Sequence, residues 1–288
     1  MDSIEEKRVY GDRSGAVEAY VASSIGVVRV RVAGDTVGEF ALCERCDARD
    51  IAAADEAVAV ATDEDVLVRS PENDEAATDA ADTSFVETGF GPAVAVGVDG
   101  DALIAADSDG RVARSESANG DWVDLESDAI DAVRAIDGDL VGTDAGVYRV
   151  HDGGFDHAGL TAVSDVSAAG VPLAATDEGL YKLGNGWMEI LDGAFRTVAA
   201  DPRSEPGQLA RAHASTDETI FALDDGEWRE RGIATGPVVG IGYGDAVYAV
   251  TEHGTFCAAE EGEEWRTRAL GIDGVTGLAV VSAHATQN

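Results

Sequence analysis

Cys43-Glu44-Arg45-Cys46 is the one short motif in this chain with metal or redox spacing. A CxxC pair supplies half of a tetrahedral zinc site, or a dithiol able to close a disulfide. The nearest complement in the sequence is His253 with Cys257. Three thiolates and one imidazole would complete a zinc shell. On a regular strand, however, those two residues lie about 13 Å apart at ~3.3 Å per residue, a separation that few zinc sites tolerate. Surrounding acidic residues also raise thiol pKa values, which works against thiolate chemistry. The pattern therefore favours structural or incidental thiols. A metal site drawing on Cys43, Cys46, His253 and Cys257, or a redox pair at Cys43/Cys46, is the lesser alternative.

Other constellations are thinner. The five histidines, His151, His157, His213, His253 and His284, assemble no Ser-His-Asp or paired-His arrangement. Arg29, Arg134 and Arg196 could clamp a carboxylate beside Tyr243, but no Glu accompanies that tyrosine. Gly240-Ile241-Gly242-Tyr243-Gly244 resembles a nucleotide loop only superficially, because no helical pattern follows it. It reads better as a strand kept small where backbones converge. No catalytic or cofactor-binding residue is assigned, and no cofactor is expected. A more regular feature is a set of turn carboxylates, Asp63, Asp144, Asp177, Asp217 and Glu252, which occupy equivalent places and should crowd one rim. Together with Arg45 and Arg49, which stand out in a chain poor in base, they are the interaction candidates.

The turns belong to a repeat. Seven copies of a Thr-Asp-x-Gly-like pattern place their glycine-equivalent positions at 26, 65, 110, 146, 179, 219 and 254. The steps are 39, 45, 36, 33, 40 and 35 residues. A period near 40 with four strands per unit marks a propeller blade. Each unit opens with a small apolar inner strand and continues with a short second strand. The turn follows, where Asp is expected to bond its own backbone and Gly to take a positive φ. Third strands alternate apolar and charged residues, as in Val147-Tyr148-Arg149-Val150, so that one face is buried. Fourth strands open on an aromatic, Phe40, Phe85, Trp122, Phe155, Trp187, Trp228 or Trp265, expected to be buried once per blade.

The predicted fold is an all-β, seven-bladed propeller of four-stranded antiparallel blades. It forms one domain over 1–288, with blades near 16–42 plus 275–282, 49–89, 93–126, 131–159, 163–191, 195–232 and 237–269. Blade one lacks an inner strand at its start, and Val275 to Ser282 supplies one. The C-terminal strand should therefore close the ring and remove an exposed sheet edge.

Ser117-Ala118-Asn119-Gly120-Asp121-Trp122, Asp152-Gly153-Gly154-Phe155 and Gly184-Asn185-Gly186-Trp187 look like worn Asp-box turns. The stretch Phe195 to Pro202, followed by the turn at Thr216, resembles blades of the sialidase-repeat and sortilin-like propellers. With its acidity, the chain resembles a haloarchaeal seven-bladed β-propeller family related to those and to WD40/YVTN-type propellers. The resemblance runs from about 16 to 283 and implies a fold far more strongly than an activity. No blade carries the complete Ser/Thr-x-Asp-x-Gly-x-Ser/Thr-Trp box.

Composition narrows the setting. The net charge is −36, from 56 acidic against 20 basic residues, eighteen of them Arg. The acid is spread over every blade rather than gathered in a tail, as on a surface adapted to molar salt. At about 1 M salt the Debye length falls to roughly 3 Å, which screens the self-repulsion. Phosphate binding needs a basic footprint, so direct nucleic-acid binding is not expected. No apolar run approaches the ~20 residues of a membrane-spanning helix. The first residues, Met1 to Lys7, lack the apolar core of a signal peptide. A cytoplasmic monomer is expected. The acidic stretch Pro71 to Ser84 accounts for the 45-residue step and reads as a solvated loop. The implied function is a non-catalytic protein-interaction scaffold. A hydrolase or lyase working in the central funnel is the alternative, and the Cys43/Cys46 metal or redox module the third.

Overall fold

In a computed structural model the protein is a ring of seven four-stranded antiparallel sheets. The structure describes residues 16–54, 57–69, 85–117, 120–125, 130, 132–151, 153–233 and 236–282. The acidic stretch Pro71 to Ser84 lies outside them.

Blade one combines β1 (Ala16–Ser23), β2 (Gly26–Ala33) and β3 (Thr36–Glu44) with the C-terminal strand. Blade two holds β4 (Ala48–Ala54), β5 (Ala57–Thr62), β6 (Val66–Arg69) and β7 (Val86–Glu87). Blade three holds β8 (Ala95–Asp99), β9 (Ala102–Ala106), β10 (Val112–Ser115) and β11 (Val123–Asp124). Blade four is β12 (Val133–Asp137), β13 (Leu140–Thr143), β14 (Gly146–His151) and β15 (Gly154–Gly159). Blade five is β16 (Val163–Ser167), β17 (Leu173–Thr176), β18 (Gly179–Leu183) and β19 (Trp187–Asp192). Blade six is β20 (Thr197–Ala200), β21 (Ala212–Ser215), β22 (Thr219–Asp224) and β23 (Glu227–Ile233). Blade seven is β24 (Val238–Tyr243), β25 (Val247–Thr251), β26 (Thr255–Ala259) and β27 (Arg266–Ala269). The last strand, β28 (Val275–Ser282), pairs with β1 from Val17↔Ser282 to Ser23↔Val275 and closes the ring.

Each seam between blades holds its own apolar cluster, built from alternate residues of the two facing sheets. Val28, Val30 and Val32 of blade one meet Tyr248, Val250 and Phe256 of blade seven, for example. On the other face of blade one, Tyr20, Ala22 and Val27 meet Val58 and Val60 of blade two. Small residues allow the inner strands to converge at the axis. A Cβ on Gly240 would stand 2.6 Å from the Leu278 backbone nitrogen, and one on Gly242 would stand 2.6 Å from Val280 Cγ2. The Gly240–Gly244 segment is thus an inner strand and its turn.

Two sequence expectations need correction. The fourth-strand aromatics are half-buried, not buried. Outer strands have one neighbour instead of two, so their side chains only cap a seam. Trp122 Nε1 donates to Thr88 O of the preceding blade at 3.3 Å, and Trp187 Nε1 donates to Ala158 O at 2.9 Å. The fully buried large aromatics are instead Tyr20, Phe195, Tyr248 and Phe256. Secondly, aspartate bonds the turn backbone in blade three, where Asp107 Oδ1 accepts from the Asp109 and Arg111 amides at 2.8 and 3.0 Å, but in four other blades the threonine does so. Thr143 Oγ1 accepts from the Ala145 and Gly146 amides and donates to Gly146 O. Thr62, Thr176 and Thr216 repeat this geometry. The hydroxyl can donate and accept at once, which a carboxylate cannot. The neighbouring carboxylate is thereby released to the rim.

Candidate functional site

Five of the seven inner strands carry a β-bulge at their entrance. Val133 pairs with Thr143 and Ala135 with Gly142, which leaves Arg134 as the extra residue. The same count leaves Arg49 in β4, Ser164 in β16, Val239 in β24 and Thr276 in β28. Blade six reaches the equivalent position one residue before β20, where the Arg196 amide donates to Ser215 O. A bulge re-aims one side chain out of the sheet plane. Here Arg134, Ser164, Arg196, Val239 and Thr276 are delivered to the mouth of the central channel, a polar cup of about 590 Å³.

The released turn carboxylates meet these bulge residues. Arg134 grips Asp144 with two bonds, Nε–Oδ1 and Nη2–Oδ2, both 2.9 Å. The guanidinium holds the Asp144 carboxyl below the usual carboxylate range. Arg196 pairs with Asp217 through Nε and Oδ1 two blades on. Blade five, between them, has Ser164 at the bulge in place of arginine. Its Asp177 is exposed at the rim: the amide donates to Ala162 O at 3.2 Å, while the carboxylate forms no hydrogen bond or ion pair among the described residues. Two locked Arg–Asp pairs therefore flank one open carboxylate.

Below the mouth lie three carboxylates whose importance the repeat did not reveal. Asp50 Oδ1 accepts from the Ile51 amide and Oδ2 from Val96 of the next blade, at 2.8 and 2.9 Å. Asp165 Oδ2 accepts from Thr197 Oγ1 at 2.6 Å and from the Val198 amide at 2.8 Å, both in blade six. Asp137 Oδ2 accepts from Ala168 of blade five at 2.7 Å. Inner strands of adjacent blades share no backbone ladder, so these side chains satisfy amides that would otherwise be orphaned at a strand edge. Burial pushes the Asp50 carboxyl up to about 6 and that of Asp165 to about 7, against the lowering effect of the bonds they accept.

The remaining sequence candidates are dispersed. Arg45, Arg49, Asp63 and Glu252 are exposed on the same face as Asp144, Asp177 and Asp217. Cys43 and Cys46 are half-buried against the seam of blades one and two, and Cys43 Sγ donates to Val27 O at 3.2 Å. Burial, then Glu44 and Asp63, pushes the Cys46 thiol up to about 11. Cys257 is buried in the seam of blades six and seven. His253 stands on the rim with Nδ1 2.9 Å from Asp273 Oδ1. Of the four zinc candidates only Cys43 and Cys46 lie together, and Cys257 and His253 are each held elsewhere. Among the described residues, no three His, Cys, Asp or Glu side chains are placed to hold a metal ion. Arg29 lies on a third strand beside Glu18, and Tyr243 is buried away from any glutamate. Glycine is retained at the turns where φ is positive, as at Gly146, where φ is 136°, whereas Gly179 of the same repeat does not take a positive φ.

The sequence pattern of one known family matches residues 3–281. The chain belongs to the HVO_0234-like beta-propeller family. No curated protein matches its sequence. Among solved structures, it is similar to the WD40 propeller domain of Doa1, with a TM-score of 0.60 and 16% identity over 78% of this chain and 83% of that one. The Neurospora crassa Pan2 WD40 domain is similar at a TM-score of 0.59 and 11% identity, over 81% and 82% of the two chains. YCF48 bound to D1 peptide is similar at a TM-score of 0.55 and 12% identity, over 77% and 82%. At these identities the likeness is one of fold.

Proposed function

We propose that this HVO_0234-like propeller is a non-catalytic scaffold of a salt-rich cytoplasm, which docks a protein partner on the bulge-ring mouth. The observation that carries this is the open Asp177 between two closed Arg–Asp pairs. The closed pairs are preorganised and electrically satisfied. The open carboxylate and the Ser164 hydroxyl beside it remain available to a lysine or arginine of a partner. Mixed charge of this kind stays selective in strong salt only through short, fitted contacts. A propeller of similar fold, YCF48, is seen with a peptide, which agrees with a peptide-binding use.

The hydrolase or lyase reading has one observation in its favour, the carboxyls of Asp50 and Asp165 near 6 and 7, in the range of a general acid. Against it, the oxygens of both are occupied by backbone amides that hold neighbouring blades together.

Affinity capture from a halophile lysate in molar KCl, followed by mass spectrometry, separates these readings. The wild type should retain a reproducible partner that Asp177→Lys loses. Glu227→Lys, in a turn on the opposite face, should keep it. Both variants should hold stability within about 0.5 kcal/mol, as exposed substitutions usually do. A partner kept by Asp177→Lys and lost by Glu227→Lys would place docking on the other face. Absence of any partner, with a thermal shift by a small molecule that Asp165→Asn abolishes, would favour the enzyme.

A further inference from the structure

On the face opposite the mouth, the seam of blades six and seven opens into a narrow cleft of about 50 Å³. Its floor is His213 of β21, only 9% exposed. The imidazole has one settled nitrogen and one open one. Tyr243 Oη donates to Ala199 O at 2.9 Å, so towards His213 it can only accept. The His213 Nδ1, 2.9 Å from that hydroxyl, therefore carries the ring proton. Burial, then the charges of Arg211 and Arg231, holds the histidine pKa down to about 4, and the ring is neutral. Its Nε2 is left as a lone pair with no hydrogen-bond partner among the described residues. That atom keeps access to the cleft, where a water or the N–H of a ligand can reach it.

The surroundings say what would suit it. The two arginines at the cleft already have partners. Arg211 donates to Asp201 Oδ2 at 2.8 and 2.6 Å, and Arg231 pairs with Asp224. The lip is the turn between β26 and β27, where Glu261 and Glu263 are exposed and form no ion pair among the described residues. The wall is apolar, formed by Trp265, whose ring meets His213 edge-on at 6.2 Å, and by Leu223 and Val247. One acceptor at the floor, surplus negative charge at the lip and an aromatic wall match a compact cation that carries N–H donors on an apolar stem.

We propose that this cleft binds a primary ammonium group on an alkyl chain. One N–H donates to His213 Nε2, the charge faces Glu261 and Glu263, and the stem lies along Trp265 and Leu223. The group could arrive as a free alkylamine or as a lysine side chain of another protein. The site is independent of the mouth, and its failure would leave the docking reading untouched.

The test uses the full chain labelled with ¹⁵N-histidine at fixed ionic strength. Butylammonium, a capped Gly-Lys-Gly peptide and tetramethylammonium are titrated separately while the His213 Nε2 resonance is followed. Butylammonium should shift it saturably, and tetramethylammonium, which has no N–H, should not. A shift by both butylammonium and peptide would mean that the site reads the ammonium alone. A shift by the peptide only would assign it to a protein lysine. Removal of both charges in Glu261→Gln/Glu263→Gln should weaken binding about tenfold, the scale of one charge-assisted contact. This double change lies on an exposed turn, so it remains informative if His213→Phe fails to fold. No saturable shift with either amine would mean that ordered water alone satisfies Nε2, and would overturn the proposal. Equal binding of tetramethylammonium, or full binding by the double variant, would also overturn it.

Discussion

Ending the chain after Gly274 should open the ring, and the structure sets the size of the effect. β28 pairs along the whole of β1 and also packs against β24 and β4. Val275, Leu278, Ala279 and Val281 are all at least nine-tenths buried. Thr276 Oγ1 ties the strand to Ala48 O of blade two at 3.0 Å. At ~1.5–3 kcal/mol for each large apolar side chain, the loss of Val275, Leu278 and Val281 is on the order of 5–9 kcal/mol. That is most of the roughly 5–15 kcal/mol that separates a typical folded domain from its unfolded state. The truncation also bares β1, an eight-residue edge in which Val17, Ala19, Tyr20 and Val21 are buried in the closed ring. Such an edge recruits other strands. Thermal melts and size-exclusion chromatography should be compared for chains ending at Gly274 and at Ser282. The shorter chain should aggregate or melt many degrees lower, and a synthetic peptide of residues 275–282 added in trans should restore part of the loss. A monomer whose midpoint moves by less than about 2 °C, roughly 1 kcal/mol at this size, would refute the closure argument.

Three further outcomes are expected. Diluting KCl from molar levels to about 0.1 M lengthens screening to roughly 10 Å and should lower the melting midpoint, given the net charge of −36; a flat or rising midpoint would contradict the salt-adapted surface. Asp50 and Asp165 have folded pKa values above their unfolded ones, so the stability they contribute is complete below about pH 4 and is lost as pH rises through about 6 and 7; denaturant titrations should record that fall, about 1.4 kcal/mol for each tenfold difference in proton affinity between folded and unfolded chains before solvent screening reduces it, and Asp50→Asn/Asp165→Asn should flatten it. With its thiol near 11, Cys46 should be on the order of one part in a thousand ionised or less at neutral pH, so alkylation should be slow until the protein unfolds, and Cys43→Ala/Cys46→Ala should keep the fold without any change in bound zinc; one zinc per wild-type chain by elemental analysis would reverse this.

Blade number, strand order and ring closure were all legible in the order of residues. The repeated turn recurs once per blade, and the unpaired apolar segment at Val275–Ser282 had only one vacancy to fill. These are local or counting signals, and backbone geometry enforces them wherever they recur. The rim carboxylates were legible too, since equivalent positions in a repeat must share a face. Their partners were not. Arg134 meets Asp144 because a bulge, a difference in pairing count between two strands, turns a residue of the inner strand out of the sheet, and Arg196 meets Asp217 from the equivalent place one residue before β20. Blade five shows the same geometry with Ser164 in the arginine's place, which leaves the Asp177 carboxylate open, and Asp63 and Glu252 likewise form no ion pair among the described residues. The burial of Asp50, Asp137 and Asp165 was equally hidden, because each satisfies an amide in the next blade, more than 30 residues away. The turn chemistry assigned to aspartate stays with Asp107 in blade three but passes in four other blades to threonine, whose hydroxyl both donates and accepts. His213 was one of five scattered histidines until Tyr243, 30 residues on, fixed its tautomer and left Nε2 facing a cleft. Local sequence determines which strands form and how many, through turn geometry and alternation. Which polar groups are left without a partner depends on contacts across blade seams, and only the closed ring brings those groups together.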